Sequence, residues 1–180
     1  MKRVNFKFLI ITTILCLSPI ILGIVFYNML PDMIAVHWGF GGISYQPKNI
    51  ALFVIPIIIT LIHMVLCVII DTQDKNKDAN KKMGQVTKMI IPLLSIVLMT
   101  ILILYSLDAN INIGKIVCIF VGLMFIVLGN YIPKTKSNLV MGVRTKGTLS
   151  NEQTWKRANK VAGYAMVAIG MVFLIVIFFV

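Results

Sequence analysis

The sequence predicts an all-α, polytopic transmembrane bundle of about five spans, and three observations carry that prediction. Hydrophobic residues make up 59% of the chain and charged residues 13%, and the mean hydropathy is +0.95, values outside the range of soluble domains. Five runs are apolar and long enough for a helix to cross roughly 30 Å of hydrocarbon, which takes about 20 residues. The cationic residues collect in alternate connections, as a chain threaded back and forth through a bilayer requires.

The whole chain, 1–180, reads as a single membrane domain. The first run, about 8–30, follows Met-Lys-Arg but has 23 residues and no small-residue cleavage pattern, so it is a retained span rather than a signal peptide. Pro31 stops it, because proline has no N–H to continue the helix. A loop of 31–49 leads to the second run, 50–70, and a polar loop of 71–88 leads to the third, 89–107. Asp108, Asn110 and Asn112 mark a short turn that needs no special role. The fourth run, 116–132, ends at Pro133, and a loop of 133–160 precedes the fifth, 161–180. Pro19, Pro56 and Pro92 fall inside or near the starts of spans and predict kinks, the freed carbonyls being met by neighbouring helices or by Ser and Thr hydroxyls.

A net charge of +11 would suggest nucleic acid in a soluble protein, so its distribution decides. Lys2, Arg3 and Lys7 precede the first span, five lysines lie in 71–88, and seven Lys and Arg lie in 133–160. Lys48 and Lys115 stand alone in the other two connections. Fifteen against two puts the amino terminus and both long loops in the cytoplasm, with the loop 31–49 and the carboxyl end outside. The basic character then serves topology and anionic lipid, and no direct nucleic-acid binding is expected.

Cys16, Cys67 and Cys118 each sit in a different apolar run and read as small buried residues. The loop segment Asp71 to Lys82 has no large apolar residue and reads as solvated. His63 lies deep in the second span, three residues after Thr60, and is expected to be a buried imidazole bonded to a hydroxyl. Catalysis has no parts to work with: HEXXH, the Gly-x-Ser-x-Gly elbow and the P-loop are absent, and the chain has one glutamate. No enzyme activity, cofactor or metal is expected. His37 has no second histidine or cysteine near it in sequence, whereas a metal site needs at least three protein ligands.

Two stretches carry more information. The first is Leu30-Pro31-Asp32-Met33-Ile34-Ala35-Val36-His37-Trp38-Gly39-Phe40-Gly41-Gly42, a glycine-rich loop with one of the two histidines and one of the two tryptophans. The second runs from Gly129-Asn130-Tyr131-Ile132-Pro133-Lys134 through Met141-Gly142-Val143-Arg144-Thr145 to Thr148-Leu149-Ser150-Asn151-Glu152-Gln153-Thr154-Trp155, ending in Ala162-Gly163. Ser150 with Gln153 reads as a capping box, with a helix starting near Asn151 and Glu152 suiting its positive end. Trp155, Ala158 and Ala162 share a face, and Gly163, Met166 and Gly170 form a close-approach stripe. Gly129 permits close packing of the fourth helix, Asn130 is placed to cap carbonyls and Tyr131 suits the interface. Arg144, between Gly142 and Thr145, is placed for a carboxylate or a lipid phosphate.

Together these stretches resemble the SdpI family of bacterial membrane immunity proteins: the second is similar to its carboxyl-terminal signature, and the first to the domain of unknown function, of LPxxIxxHW type, found at the amino end of many members. The resemblance implies an integral membrane protein that protects a bacterium from a membrane-active peptide toxin, and it further suggests signalling to a cytoplasmic repressor. By that reading Pro31, His37, Trp38 and Gly39 are the candidate outer contact. Gly129, Asn130, Tyr131, Pro133, Lys134, Gly142, Arg144, Thr145, Trp155 and Gly163 form the inner motif. The chain departs from the family in showing five spans where six are expected, in Ala35 where proline is common, and in lacking an acidic residue soon after the glycines. A transporter or export subunit for a small or lipidic molecule, and a membrane anchor for a regulator, are the rival readings.

Overall fold

The computed structural model describes residues 4–39 and 41–179. Lys2 and Arg3 of the charge pattern, Phe40 of the glycine-rich loop and Val180 of the fifth run lie outside the described residues. Five helical segments are long and apolar enough to cross a membrane: Phe6–Met29, Ile50–Gln73, Lys81–Ser106, Ile113–Lys134 and Glu152–Val176. They leave Ile10, Ile14, Ile21, Val25, Ile58, Leu61, Val65 and Val172 exposed, which a lipid solvent tolerates and water does not.

The first segment is two helices in series, α1 (Phe6–Leu17) and α2 (Pro19–Phe26), followed by a 3-10 turn at Tyr27–Met29. Asn5 caps α1 by accepting from the Phe8 N–H at 3.2 Å. Pro19 cannot donate to the Leu15 carbonyl four residues earlier, and the Ser18 hydroxyl takes that carbonyl instead at 2.8 Å. Next to it, the Cys16 carbonyl accepts from Ser95 Oγ at 3.0 Å. Both kinds of rescue expected at the membrane prolines, a local hydroxyl and one from another helix, thus occur at this break.

A π-turn at Ile50–Val54 leads into α3 (Ile55–Gln73), which contains Pro56. α4 (Lys81–Ser106) continues through Pro92. α5 (Ile113–Tyr131) is capped by Asn112, which accepts from the Lys115 N–H at 3.0 Å. A 3-10 turn at Ile132–Lys134, short α6 (Lys146–Ser150) and α7 (Glu152–Val176) complete the helices. The cap of α7 is Asn151, whose Oδ1 accepts from the Gln153 and Thr154 N–H groups at 2.8 and 3.0 Å. The expected Ser150–Gln153 box is therefore displaced: Ser150 donates to the Gly147 carbonyl, and the capping box sits at the head of α6, between Thr145 and Thr148.

The loop expected after the first span contains a β-hairpin, β1 (Met33–Gly39) antiparallel to β2 (Gly42–Pro47). Met33 faces Pro47 and Gly39 faces Gly42, with an irregularity between Ala35 and His37. Val36 is the extra residue of that bulge, and the consecutive Ile34 and Ala35 before it are both buried. Gly42 has φ +103°, the left-handed backbone that the tight turn requires and a side chain resists.

The described residues cluster into two compact units. One holds Asn5–Leu66 and Met89–Ile111; the other holds Cys67–Lys88 and residues 112–179, with Val4. The core of the first is Leu30, Ile34, Ala51, Leu52, Met99, Leu102 and Ile103. There α2 approaches the π-turn at Gly23, where an added Cβ would lie 3.2 Å from Leu52 Cβ.

In the second unit α5 and α7 cross at paired glycines. A Cβ on Gly129 would come 2.6 Å from the Gly163 carbonyl oxygen, and one on Gly170 would come 2.6 Å from that of Gly122. The stripe expected from Gly163, Met166 and Gly170 is thus the contact face of α7 against α5, and a smaller core of Met83, Ile132 and Met141 lies near its end.

Candidate functional site

The hairpin unit presents Pro31, His37, Trp38 and Gly39 in different ways. His37 is exposed, and its ring folds over Gly39, where an added Cβ would meet His37 Cε1 at 2.7 Å. Trp38 is half-buried and meets the Tyr105 ring of α4 edge-on, with centroids 5.2 Å apart and planes at 78°. Its Nε1–H is buried without a hydrogen bond. Pro31 lies at the rim of a cleft of about 420 Å³ that is also lined by Tyr45, Tyr105, Ser106 and Asp108.

Lys48, noted in the sequence only as an isolated charge, organises the base of the hairpin. Its ammonium lies 3.1 Å from Asp32 Oδ1 and donates to the Leu30 carbonyl at 3.3 Å. It also stands 4.7 Å over the Tyr27 ring, a favourable position for a cation on an aromatic face. A backbone bond from the Lys48 N–H to the Asp32 carbonyl, 2.9 Å, closes the same corner.

Deeper in this unit His63 of α3 and Thr12 of α1 are both fully buried, with His63 Nε2 2.9 Å from Thr12 Oγ1. The Thr12 hydroxyl has carbonyl acceptors within its own helix, Phe8 at 2.9 Å and Leu9 at 3.1 Å. With its proton on one of those carbonyls, the Thr12 oxygen is an acceptor for the tautomer of His63 that carries a proton on Nε2. Thr60 uses its hydroxyl on the Pro56 carbonyl instead. The expected hydroxyl partner exists, then, but comes from another helix.

The second unit brings most of the carboxyl-terminal motif together as scaffold. Trp155 is fully buried and donates from Nε1 to the Thr135 carbonyl at 2.8 Å. One turn on, Asn159 accepts from the Val143 N–H at 2.8 Å and donates to the Trp155 carbonyl at 2.9 Å. Gly142, at φ +94°, passes so close to Asn159 Oδ1 that no side chain fits. Gly163 is likewise closed off by the Pro133 ring and by the Gly129 carbonyl. Trp155, expected to form an interfacial face with Ala158 and Ala162, is a core anchor.

The exposed members are Asn130, Lys134, Arg144 and Thr145, with Tyr131 half-buried. Lys134 Nζ lies 3.2 Å from Asn130 Oδ1 and 5.5 Å over the Tyr131 ring. Asn130 thereby takes a lysine donor rather than capping carbonyls. Arg144 donates from Nη1 to the Leu139 carbonyl at 2.6 Å, which pins one end of its guanidinium and leaves the rest exposed.

The loop Asp71–Lys82 is exposed over much of its length, as its composition suggests, but it also carries buried polar groups. Asp71, Asp74 and Asn80 are buried, as is Lys88 in the following helix. Asp71 is paired with Lys88 at 2.7 Å and with Lys77 at 3.0 Å. Asn80 donates to both oxygens of Asp74 and to the Lys136 carbonyl at 3.0 Å, and its own Oδ1 accepts from the Lys136 N–H at 2.7 Å. Asn76 adds a bond to the Ser137 carbonyl at 2.6 Å. The two basic loops are therefore stitched into one polar platform, and Asn138 shapes the second of them by accepting from the Val140 and Met141 N–H groups. Sequence reasoning passed over Asp71, Asp74, Asn80, Asn138 and Asn159. Their only local signal is the presence of acids and amides that local capping does not explain.

The two ends of the chain each match a known family. The SdpI/YfhL protein family matches residues 134–180, and a domain of unknown function (DUF1648) matches residues 14–60. Immunity protein SdpI of Bacillus subtilis (strain 168) is 30% identical over 175 residues, covering 96% of this chain and 82% of that protein. No solved structure matches. With five helices able to cross a membrane and similarity that runs through nearly all of them, the protein is a multi-pass bacterial membrane protein, and the chain belongs to the SdpI/YfhL family.

Proposed function

We propose that this protein is an immunity protein that protects its cell from a membrane-active peptide toxin. The observation that carries the reading is the 30% identity to immunity protein SdpI across 96% of the chain, which spans both the hairpin and the platform. The alternation of basic residues supports an orientation with the amino terminus and platform in the cytoplasm and the hairpin and carboxyl end outside. In that orientation the hairpin, with exposed His37 and half-buried Trp38, meets the toxin or denies it access. The platform, with Lys134, Lys136, Arg144 and Lys146 exposed, faces a soluble partner such as a repressor.

Expression in a toxin-sensitive bacterium, followed by challenge with a panel of membrane-permeabilising peptides, tests the protective role. Raised survival against at least one peptide is expected, and unchanged survival across the panel overturns it. Co-purification from the native cell tests the signalling role, which predicts a soluble protein retained by the intact platform and lost on Arg144→Ala. Arg144 is the suitable probe because Trp155 is buried and its replacement would disturb the fold.

A further inference from the structure

The turn after α4 contains a residue that stability alone would not select. The Ala109 N–H bonds the Leu104 carbonyl at 3.0 Å and the Asp108 N–H bonds the Tyr105 carbonyl at 3.2 Å, the two bonds of a Schellman cap. Asp108 occupies the left-handed position of that cap, with φ +55°, where glycine is usual and asparagine next. Its negative charge also sits at the negative end of the 26-residue α4, where a cation is favoured. Among the described residues nothing pairs with its carboxylate.

The surroundings give this carboxylate a use. Asp108 lines the cleft of about 420 Å³ together with Tyr45, Tyr105 and Ser106. Ser106 Oγ is buried and has no hydrogen-bond partner. A cavity of that volume falls within the size range of small-ligand sites. An unpaired carboxylate beside two tyrosines is the complement of an alkylammonium or guanidinium group, which takes charge-assisted hydrogen bonds and lies well on a ring face. The cation nearest in role, Lys48, is already engaged by Asp32.

We infer that this cleft is a binding site for a cationic side chain of a peptide, with Asp108 as its counter-charge. This rests on the immunity reading for the natural occupant, whereas the preference for a cation is a property of the cleft itself. A rule of local stability broken at a pocket mouth is the pattern expected of a binding residue.

The test uses the full chain in lipid nanodiscs with 3-fluorotyrosine at its five tyrosines, the Tyr45 and Tyr105 signals being assigned with Tyr→Phe variants. Nα-acetyl-lysine methylamide is expected to shift both signals saturably, while the norleucine compound, which has the same carbon chain without the ammonium group, leaves them in place. D108N is expected to weaken lysine-probe binding at least tenfold with the melting temperature unchanged or raised, since asparagine suits the cap. Equal shifts with norleucine, or undiminished binding to D108N, overturn the proposal. So does calcium ion displacing the lysine probe at millimolar concentration, which would make this a metal site. Because no toxin is involved, a failed binding test leaves the survival experiment standing, and the reverse.

Discussion

Trp155 Nε1 donates to the carbonyl oxygen of Thr135, 2.8 Å away and out of reach of solvent. Thr135 also bonds back through its own N–H and hydroxyl to the Ile132 carbonyl, at 3.1 and 2.7 Å. One indole therefore holds the end of the fourth membrane helix against the start of the fifth.

Trp155→Phe keeps the ring volume roughly and removes the donor, leaving a buried carbonyl unmatched. A loss of about 1–3 kcal/mol is expected, the cost of an unsatisfied buried group. Trp155→Ala adds a cavity and is expected to cost about 3–5 kcal/mol. Thermal unfolding in detergent micelles checks both, and equal melting temperatures for wild type and Trp155→Phe would count against the hydrogen bond.

At the glycine crossing, Gly129→Ala places a methyl 2.6 Å from the Gly163 carbonyl, so α5 and α7 must separate. A cost of about 1–3 kcal/mol follows from overpacking of this kind. Gly41→Ala is the control, because an added Cβ there meets nothing within 4 Å. Denaturation by SDS titration reads the pair; the control shifting as much as Gly129→Ala would contradict the packing account.

The buried pair Asp71–Lys88, 2.7 Å apart, gives a non-additive prediction. Asp71→Asn removes the counter-charge from a lysine that is 5% exposed and is expected to cost about 3–5 kcal/mol. Lys88→Met in the same background is expected to recover part of that loss, since it removes the buried cation that faces the substituted side chain. A double-mutant cycle on unfolding free energy decides, and strictly additive effects would rule out the coupling.

On the hairpin, contact and stability should separate. His37 is exposed, so His37→Ala is expected to leave the unfolding free energy within about 0.5 kcal/mol of wild type, the usual range for surface changes, while lowering survival under toxin challenge. Trp38→Ala also loses the edge-on contact with Tyr105, worth about 0.5–1.5 kcal/mol, and is expected to lower both. Full protection in both variants would move the toxin contact away from this face.

Much of the architecture could be read directly from residues. The five spans declare themselves by length and apolarity, Pro31 and Pro133 by the missing N–H, and the Gly163–Gly170 stripe by its spacing. Within the stretch from Gly129 to Gly163, Gly142 and Trp155 are packing residues and Arg144 is one of the exposed ones. The hairpin was hidden because the Val36 bulge breaks the alternation that marks a strand. The buried side of the loop Asp71–Lys82 was hidden because the Asn80 partner lies at Lys136, 56 residues on, and no local pattern announces a bond of that range. The α7 cap was misplaced by one residue because Ser150 and Asn151 are both good caps, and only backbone geometry chooses between them.

The Asn80–Lys136 clasp also imposes an order of manufacture. A ribosome releases the segment around Asp74 and Asn80 well before residues 134–140 exist, and two further spans must enter the bilayer in between. Until they do, the amide of Asn80 lacks the backbone it will grip and the first basic loop lacks its mature shape. The platform is consequently a late product of biogenesis, and a chain truncated before Lys136 would carry spans already in the membrane but no assembled platform.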